Sequence, residues 1–372
     1  MKALFWDVVC VAVLCIILSL GLWPFHSPEN DVSWSGDRTG LRFGKFSTII
    51  SSGTFEAASP GSEAPGSVEV WLQPRRIWVG GTFLAFYSPR NLDQFSLSQF
   101  DGGLRLKAET NNDARAGQTA VINVKNTFRR SGPVFLTITS GTNGTSVYVD
   151  GVLARGLPDF RLSTKDLTGR LIVGDAPGQT DSWSGQLLGL AIYRSELTRT
   201  QVLRHYQTWT GEGRPEIGGD ERNLALYLFG EHSGRIVHDS AGSGMNLYIP
   251  EKYVVLDRIF LEPFWREFSW SRSYWGAVAK NIIGFVPFGF CFYACMCAHR
   301  MKRAAIATVI LGTLASVTIE VLQVHLPTRD SGMTDIFTNT LGTWIGLVAY
   351  RKVSPAFAAR FPWLPFAALP LL

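Results

Sequence analysis

Cysteines and charged residues are both scarce over most of this chain. The cysteines are not placed as in a small disulfide-rich secreted protein, and the basic residues are not placed as in a nucleic-acid-binding protein. The five cysteines all lie inside apolar runs, at Cys10, Cys15, Cys291, Cys295 and Cys297. None lies in the long polar middle, so no disulfide framework holds that region together. Only 17% of the 372 residues are charged, and the basic pairs stand at the ends of apolar runs. No basic patch with interleaved aromatic residues occurs in a polar segment, which excludes nucleic acid as a partner.

Long apolar runs are what the chain has instead. Residues 4–22 are long enough to span a bilayer, since a helical span needs about 20 apolar residues. Lys2 before this run also fits the start of a secretory signal peptide, but no small-x-small cleavage site follows it. We therefore predict an uncleaved transmembrane helix over 1–24. Three further spans are predicted over residues 277–298, 304–323 and 334–350, within a helical region at 276–352.

The middle of the chain, residues 25–257, is predicted to be β-rich. Short runs of β-branched and aromatic residues recur between Gly, Pro, Asn and Asp clusters, a pattern typical of an antiparallel β-sandwich. The strongest hairpin signal is the Asp150-Gly151 turn, and one helix is predicted over 197–209 with Thr198 as its N-cap. The predicted strands comprise residues 67–74, 82–88, 103–109, 119–124, 134–140, 145–154, 170–174 and 185–193.

Several of these segments occur in the order found in laminin-G-like, or concanavalin-A-like lectin, domains, which they resemble. The matching segments are 68–72, 148–153, 171–174 and 183–197. The resemblance implies a jelly-roll sandwich that binds glycans or proteins. Residues 223–244 look like the phrase that opens such a domain, yet they follow the helix, so we expect 223–250 to supply edge strands to the same sandwich. A truncated second copy is the alternative, although about 30 residues cannot bury a core alone.

Calcium is an expectation for the lectin-like domain only, because some members of the class bind their ligands through it. Asp150 precedes the turn glycine and is better explained as a turn residue than as a ligand. Asp175, Asp181 and Asn143 also lie near turns, and any of them could be a ligand at the rim of the sandwich. Trp71 and Trp183 are predicted to be core residues rather than sugar-stacking platforms.

Two further segments flank the C-terminal helices. Residues 258–275 mix aromatic side chains with Arg and Glu, which the membrane interface favours. An interfacial linker is predicted there, with a defined amphipathic helix as the alternative. Residues 353–372 form an apolar tail that contains too many prolines for an easy further span, and the tail is predicted to be interfacial or re-entrant.

The basic residues predict the topology, because an excess of Lys and Arg marks the cytoplasmic side of a membrane protein. Lys2, the cluster at 300–303 and the Arg351-Lys352 pair all fall on one side if four spans alternate. The expected location is therefore the cytoplasmic (inner) membrane, with the lipid bilayer as a partner. Residues 25–275 and the loop 324–333 would lie outside the cytoplasm.

Six polar residues from separate segments are predicted to lie at similar depth near the outer ends of the spans. Ionisable groups are costly near hydrocarbon, so they face a protein interior or water and are functional candidates. Two pairs share a helix face by their i, i+3 and i, i+4 spacings. Gly342 and Gly346 would allow close helix approach. The six polar residues are Asn281, Glu320, Gln323, Arg329, Asp335 and Asn339.

These residues occur in patterns that resemble the VanZ-like membrane domain. The patterns are N-x5-P-F-G from Asn281, E-x-x-Q from Glu320, a following Arg329, and D-x3-N-x2-G from Asp335. They occur in family order over about 100 residues. The resemblance implies an association with low-level resistance to the glycopeptide teicoplanin, and it carries no settled reaction. The resemblance also implies that the lectin-like domain is inserted in the outer loop between the family's first and second spans.

Two interpretations of the six residues stay open at this point. One is a hydrogen-bonded network that fixes helix packing, with Arg329 paired to Asp330 or Asp335. The other is an outward-facing pocket in which Arg329 holds a phosphate or carboxylate and Asn281, Gln323 and Asn339 bind polar head-group atoms. Glu320 or Asp335 could then act as a general base. No Ser or Cys nucleophile stands beside a His, and no ligand spacing indicates zinc, so no metal is assigned.

The sequence therefore predicts a multi-pass membrane protein of the cell envelope. Its outer sandwich would bind a glycan or an envelope protein, and its helices would form a polar pocket for an envelope precursor or lipid head group, with an effect on glycopeptide tolerance. The alternative is a membrane enzyme that acts on a lipid-linked or peptidoglycan substrate, with Glu320 and Asp335 as acid and base. The sequence leaves open whether the protein is an enzyme.

Overall fold

The computed structural model describes residues 2–36, 39–56, 64–109, 119–129, 132–178, 180–270 and 272–360. The chain divides into two compact units, one comprising Ser27–Arg258 and the other Met1–His26 with Ile259–Leu372. The last part of the predicted apolar tail, residues 361–372, lies outside the described residues.

The described residues of the unit Ser27–Arg258 form sixteen strands, which are short at its beginning and end and long in its middle. The strands are β1 Val32–Trp34, β2 Leu41–Phe43, β3 Ile49–Ser51, β4 Gly66–Pro74, β5 Gly81–Ser88, β6 Asn91–Phe100, β7 Gly103–Glu109, β8 Thr119–Val124, β9 Val134–Gly141, β10 Gly144–Val149, β11 Val152–Leu157, β12 Arg170–Val173, β13 Gly185–Tyr193, β14 Asn223–Tyr227, β15 Ile236–Val237 and β16 Leu247–Tyr248.

Six helices complete the described structure, and all but one belong to the second unit. They are α1 Lys2–Leu22, α2 Arg199–Glu212, α3 Phe264–Glu267, α4 Arg272–Ala298, α5 Ala304–Gln323 and α6 Met333–Arg360.

The strands form two eight-stranded sheets, and every pairing between named strands is antiparallel. One sheet has the order β1-β2-β13-β4-β9-β10-β11, with β14 paired to β13, and the other has the order β15-β16-β3-β12-β5-β6-β7-β8. Alternate residues of β4, such as Val68 and Val70, join the core of buried apolar side chains from both sheets. The fold is therefore the predicted antiparallel β-sandwich.

The Asp150-Gly151 sequence forms the predicted hairpin between β10 and β11. Both residues have positive φ, 51° for Asp150 and 75° for Gly151. Val149 pairs with Val152 across this two-residue turn. A two-residue loop with positive φ at both positions has the twist that neighbouring antiparallel strands require. Asp150 is therefore a turn residue, and its Oδ1 accepts the N–H of Phe135 at 2.9 Å.

Helix α2 packs on the face of the first sheet that points away from the sandwich core. Its side chains Val202 and Trp209 lie in a separate buried cluster with Phe135 and Tyr193. The predicted N-cap is confirmed, because Thr198 and Gln201 form a reciprocal capping box. The helix runs to Glu212, three residues beyond the predicted end.

Residues 223–248 supply three strands to the same two sheets. β14 pairs with β13, and β16 pairs with β3 while β15 lies at the edge beyond it. Tyr227 of β14 and Val237 of β15 are buried in the sandwich core. Both sheets of the sandwich are thus completed by strands that follow α2 in the chain.

Three helices of the second unit are long and apolar enough to cross a membrane. Within the described residues they are Ala3–Leu22, Tyr274–Ala298 and Ala304–Gln323. α6, which was predicted as a fourth span over 334–350, is not among them, because polar residues such as Asp335 and Asn339 interrupt its first turns. It is also longer than predicted and continues to Arg360, so the helix includes the first part of the segment predicted as a tail.

Helices α4 and α6 approach each other through glycines. A Cβ added at Gly342 would lie 2.2 Å from the Ile282 carbonyl oxygen, and one at Gly346 would lie 2.0 Å from that of Val286. On the facing helix, a Cβ at Gly289 would lie 1.9 Å from the Thr343 carbonyl oxygen. The predicted small-xxx-small contact is therefore confirmed, and it brings the polar first turns of α6 against α4.

Residues 258–275 are neither a free linker nor a defined amphipathic helix. Among the residues that the structure describes between 258 and 270, the single turn α3 is the one helical piece. Glu262 exchanges main-chain hydrogen bonds with Ser331 and Met333, at 2.9 and 3.0 Å. The Glu267 carboxylate accepts the N–H of Thr334 at 2.9 Å, at the start of α6. The segment is thus attached to the loop between α5 and α6.

Candidate functional site

A cavity of about 380 Å³ lies within the helical unit, between α1, α4, α5 and α6. All six polar residues singled out in the sequence line it. Apolar side chains from three of the helices form the rest of its wall, including Ile17, Phe285 and Ile319. The convergence follows from the i, i+3 and i, i+4 spacings, which keep each pair of polar residues on one helix face.

Asn281 and Asp335 link α4 to α6 across the cavity. The amide nitrogen of Asn281 donates to Asp335 Oδ1 at 2.6 Å. Both side chains are partly buried. The carboxyl group of Asp335 is therefore hydrogen-bonded to a neutral amide. The hydrogen bonds of Arg329, its alternative partner, go instead to main-chain carbonyls.

Glu320 is almost fully buried, with 1% of its surface exposed. Its Oε2 accepts the main-chain N–H of Gly332 at 2.9 Å. A Cβ at Gly332 would lie 1.7 Å from Glu267 Oε1, so a larger residue there would displace the Glu267 carboxylate. Glu267 was not recognised in the sequence as part of this site, because its helix is a single turn with no periodic pattern.

Gln323 and Arg329 hold the C-terminal end of α1. The Gln323 amide donates to the carbonyl of Gly21 at 2.9 Å. Arg329 donates from Nε to the carbonyl of Trp23 at 3.0 Å and from one terminal nitrogen to that of Leu20 at 3.2 Å. Carbonyls at a helix C-terminus have no intrahelical partner and carry partial negative charge, so an arginine stabilises them. Arg329 thus contributes to helix packing through hydrogen bonds to main-chain oxygens at the end of α1.

Asn339 of α6 lines the wall of this cavity. Its nitrogen donates to the Ser316 hydroxyl at 2.9 Å, and 5% of its surface is exposed. Its Oδ1 makes no hydrogen bond with any residue that the structure describes. A buried amide oxygen without a partner costs about 1–3 kcal/mol unless a ligand or water satisfies it. Asn339 therefore leaves an acceptor available in the wall of the cavity.

The cavity combines charge, hydrogen bonding and apolar surface. Its polar wall carries the carboxylates of Glu320 and Asp335 and the cations of Arg329 and Lys280. Its volume is within the range of small-molecule sites, about 300–1,000 Å³. Such a lining suits a ligand that has a polar or charged head and an apolar part. Two carboxylates in one cavity can also transfer a proton if a substrate reaches them.

The sandwich has a groove of its own, of about 530 Å³, which the sequence did not reveal. It lies along β1, β2 and β13 and the end of β4. Its polar lining includes Asp31, Arg42, Arg75 and Gln186. Trp78 stands in the loop after β4, next to the lining residue Ile77, with 75% of its surface exposed. β1 and β2 are three residues long, too short for a periodic signal, so their groove could not be predicted.

The carboxylates considered as calcium ligands have structural partners. Asp175 has 1% of its surface exposed, and its Oδ1 accepts the N–H groups of Ala176 and Asp181. Its Oδ2 accepts the hydroxyls of Ser182 and Tyr253. Burial raises the pKa of Asp175 to about 7. These contacts make Asp175 a core residue rather than an open rim ligand.

The other sandwich candidates are divided between surface and core. Asp181 accepts the Thr82 hydroxyl at 2.6 Å, and Asn143 is exposed in the turn between β9 and β10. Trp183 is a core residue, as predicted, with 1% of its surface exposed. Trp71 is half-buried and packs against Trp209 of α2, with ring centroids 6.4 Å apart.

Comparisons with known proteins give two family matches in this chain. The model of the VanZ/LLP1 family matches residues 225–356, and that of the concanavalin A-like lectin/glucanases superfamily matches residues 51–203. The first match begins in β14 of the sandwich and ends in α6. No curated protein matches the chain.

Solved structures resemble the chain over about half to two thirds of its length. A Bacteroides ovatus protein described as a candidate carbohydrate binding protein is 11% identical, with a TM-score of 0.39, and 62% of each chain is covered. The heptameric SAP-like pentraxin of Limulus polyphemus is 15% identical with a TM-score of 0.36, covering 61% of this chain and 94% of the pentraxin. The receptor binding domain of botulinum neurotoxin C/D mosaic serotype is 13% identical with a TM-score of 0.39, covering 56% and 59%.

Together with the apolar helices, the two family matches identify the kind of protein. The strand pairing and the match over 51–203 agree on the fold of the sandwich. The helices α4, α5 and α6 carry the patterns that match the other family. The chain is a membrane protein that contains a VanZ/LLP1 domain and a concanavalin A-like lectin domain.

Proposed function

We propose that this protein binds the head group of a lipid or lipid-linked envelope precursor in the cavity between α1, α4, α5 and α6. The observation that supports the proposal best is the convergence of six polar side chains on one cavity whose remaining wall is apolar. The apolar wall suits an acyl or polyprenyl chain, and the polar wall suits a phosphate, sugar or peptide head.

The individual contacts support a division of roles within the cavity. Arg329, whose guanidinium is bonded at the end of α1, would attract a phosphate or carboxylate. The unsatisfied Oδ1 of Asn339 would accept a hydroxyl or amide N–H of the head group. Asn281 is already bonded to Asp335, and Gln323 is already bonded to the carbonyl of Gly21. Both would contact the ligand through the side-chain atoms that face the cavity.

The sandwich is proposed to bind an envelope glycan or protein through its groove. Asp31, Arg42 and Gln186 offer acceptors and donors of the kind that sugar hydroxyls need. The exposed ring of Trp78 would pack on the apolar face of a sugar, which also explains why so large an apolar side chain stands in water.

The proposed topology places residues 25–275 outside the cytoplasm in the cytoplasmic membrane. Its support is the distribution of basic residues, which cluster at 300–303, after α4. The exposed aromatic side chains at 260–275, including Trp265 and Trp270, would then lie at the outer membrane–water interface. An effect on teicoplanin tolerance would follow if the bound precursor belongs to the pathway that the glycopeptide blocks.

The test is teicoplanin susceptibility of a sensitive host that expresses the wild-type chain, Glu320→Gln or Asn339→Leu, with membrane abundance measured for each. The matched control is Thr318→Val, which changes an exposed residue of the same helix. We expect the wild type and the control to raise tolerance, and the two cavity variants to lose this effect at equal abundance. A wild type that leaves susceptibility unchanged would overturn the glycopeptide part of the proposal.

The binding part has a readout that does not depend on the drug. Lipids that copurify with the full chain in nanodiscs would be compared by mass spectrometry between wild type, Asn339→Leu and Thr318→Val. We expect a lipid enriched with wild type and control and depleted from the cavity variant. Equal lipid content in all three would show that the cavity is not the binding site.

A second candidate is a membrane enzyme that acts on a lipid-linked or peptidoglycan substrate. The placement of the Glu320 and Asp335 carboxylates in one cavity favours it, since a hydrolase or transferase needs an acid and a base. An enzyme requires both carboxylates, so Glu320→Gln and Asp335→Asn should each abolish function at normal abundance. A binding protein should tolerate at least one of these changes.

A further inference from the structure

A second polar cluster lies at the opposite ends of α1 and α4 from the residues that line the cavity. Asp7 lies in the first turns of α1, and Cys295 and His299 lie at the end of α4 and just after it. Asp7 Oδ1 is 3.1 Å from Cys295 Sγ and 2.9 Å from His299 Nε2. One ligand atom from each of the three residues lies within 4.8 Å of the other two.

The chemistry of these atoms is that of a transition-metal site. Zinc in proteins is bound by cysteine sulfur at about 2.3 Å, by histidine nitrogen at about 2.0–2.1 Å and by carboxylate oxygen at about 2.0–2.2 Å. Around a tetrahedral ion these bond lengths place neighbouring ligand atoms roughly 3.3–3.7 Å apart. The separations of Asp7 Oδ1 from Cys295 Sγ and His299 Nε2, 3.1 and 2.9 Å, are shorter than this, as hydrogen bonds are, so side-chain rotations that open them by about half an ångström would admit an ion.

The surroundings also fit. Cys10 follows Asp7 by one helical turn on the same face of α1, and its buried thiol interacts with that of Cys295. A contact of this kind orients a metal-bound sulfur from outside the ligand set. About half of the His299 and Asp7 side chains is exposed, 48% and 43%, which gives an ion a path into the site. The three donors leave one tetrahedral position for water.

We propose that Asp7, Cys295 and His299 form a zinc site that joins α1 to α4. The site needs no part of the cavity proposed above and does not depend on its function. It explains an aspartate in an otherwise apolar helix, where an unpaired carboxylate would be costly. No metal was assigned from the sequence, because Cys295-x3-His299 offers only two ligands and the third, Asp7, lies 292 residues away from His299.

The test uses the full-length chain in detergent, reduced, stripped of metal with a chelator, and titrated with Co²⁺ as a spectroscopic probe for Zn²⁺. We expect a thiolate-to-cobalt charge-transfer band that saturates at one Co²⁺ per chain. Zn²⁺ should displace the cobalt, and Mg²⁺ should not. Because the ligands lose protons on binding, the apparent affinity should fall as the pH is lowered.

Variants separate the site from cobalt bound elsewhere. Cys10→Ser changes a residue outside the ligand set and should weaken cobalt binding by ~10–100-fold. Cys295→Ser and His299→Ala remove ligands and should lose the band or weaken binding by more than this. Cys297→Ser, a buried cysteine on the same helix, and Cys15→Ser, an exposed one on α1, are the matched controls and should bind as the wild type does.

Folding is checked independently of metal binding. Each stripped variant should elute from gel filtration as the wild type does, and Zn²⁺ should raise the melting temperature of the wild type and Cys297→Ser but not of His299→Ala, whose half-exposed side chain is easily replaced. The proposal is overturned if the wild type gives no thiolate band, or if Cys295→Ser and His299→Ala both retain it.

Discussion

The two compact units bury polar side chains in opposite ways. In the sandwich, Glu69, His205 and Glu221 satisfy one another and their neighbours in a closed network under α2. In the helical unit, the polar residues of the cavity are each tied to a main-chain group or to a single side chain, and Asn339 keeps a free acceptor among the described residues. A closed network contributes to stability, whereas an incompletely satisfied one can bind something else.

The sandwich network is centred on His205, which is fully buried. Its Nδ1 lies 3.0 Å from Glu69 Oε1, and its Nε2 lies 2.9 Å from Glu221 Oε2. Tyr193 donates its hydroxyl to Glu69 at 2.9 Å, and Arg204 forms an ion pair with Glu221. With a carboxylate at each ring nitrogen, the imidazole carries both protons and its charge is compensated.

The largest expected effect is on the close contact of α4 and α6. Gly346→Leu would place a side chain where even a Cβ lies 2.0 Å from the Val286 carbonyl oxygen. Backbone cannot give way as a side chain does, so the cost should exceed the ~1–3 kcal/mol typical of overpacked cores. Membrane abundance of the full chain should fall to background by immunoblot, and the fragment 27–258 should still give a cooperative thermal transition.

Gly276→Leu is the control for this change. Gly276 lies in α4, the helix that Gly346 of α6 contacts, but its added Cβ meets no other described element within 4 Å. Its abundance should match the wild type. Normal abundance of Gly346→Leu would mean that the helices do not pack through these glycines.

The next largest effect is on the closed network of the sandwich. His205→Ala leaves two buried carboxylates, Glu69 and Glu221, without their shared cation. Removing one partner of a buried ion pair typically costs about 3–5 kcal/mol. Chemical unfolding of the fragment 27–258 should show this loss. The exposed pair of His238 with Glu231 is the control, since His238→Ala should change stability by less than about 1 kcal/mol.

The same network gives the sandwich a pH dependence. Burial lowers the pKa of His205, but the hydrogen bonds and charges of Glu69 and Glu221 outweigh it and raise the pKa above 6.5. The stability that protonated His205 contributes is thus fully present below pH 6.5 and is lost as the pH rises through its folded-state pKa. His205→Gln should flatten this part of the stability–pH curve of the 27–258 fragment. An unchanged slope would mean that the ring is neutral.

Helix capping is expected to have a smaller effect. Thr198→Ala removes the side chain that accepts the N–H of Gln201 at the start of α2. Loss of such a cap costs about 0.5–2 kcal/mol, because a helical N–H is left without a partner. Thr210→Ala, at an exposed position in the same helix, should change the free energy of unfolding by less than about 0.5 kcal/mol. Equal effects of the two changes would contradict the capping role.

Local sequence patterns predicted most of the sandwich strands and the N-cap of α2. The positions of the six polar residues along the predicted spans indicated that they would lie together, and all six line the cavity. The strand β6 was missed because Asp93, Gln94 and Ser96 interrupt its apolar residues. The strands β1, β2 and β3 have three residues each, which is too few for periodicity to show.

What could not be predicted depends on contacts between distant positions. Glu69 and His205 are 136 residues apart in the sequence. Their contact requires α2 to pack on the sheet at the position of β4. The attachment of Gln323 to α1 uses a main-chain carbonyl, which no residue type marks in a sequence. The role of Gly332 also depends on Glu267, from a segment whose fold has no pattern of its own.

The smallest expected effect on stability tests the difference between the two units most directly. In the double variant Asn339→Leu with Ser316→Ala, both partners of one buried hydrogen bond become apolar. Such a replacement is close to neutral when shape is kept, and here it also removes an acceptor that has no partner among the described residues. Membrane abundance and melting temperature of the full chain should therefore stay near the wild type, while the copurifying lipid and the drug phenotype are lost. If abundance fell with them, the cavity would be a packing network like that of the sandwich. If abundance, copurifying lipid and drug phenotype all stayed unchanged, Asn339 would have no part in binding. Binding in the cavity would then have to depend on Glu320 and Asp335.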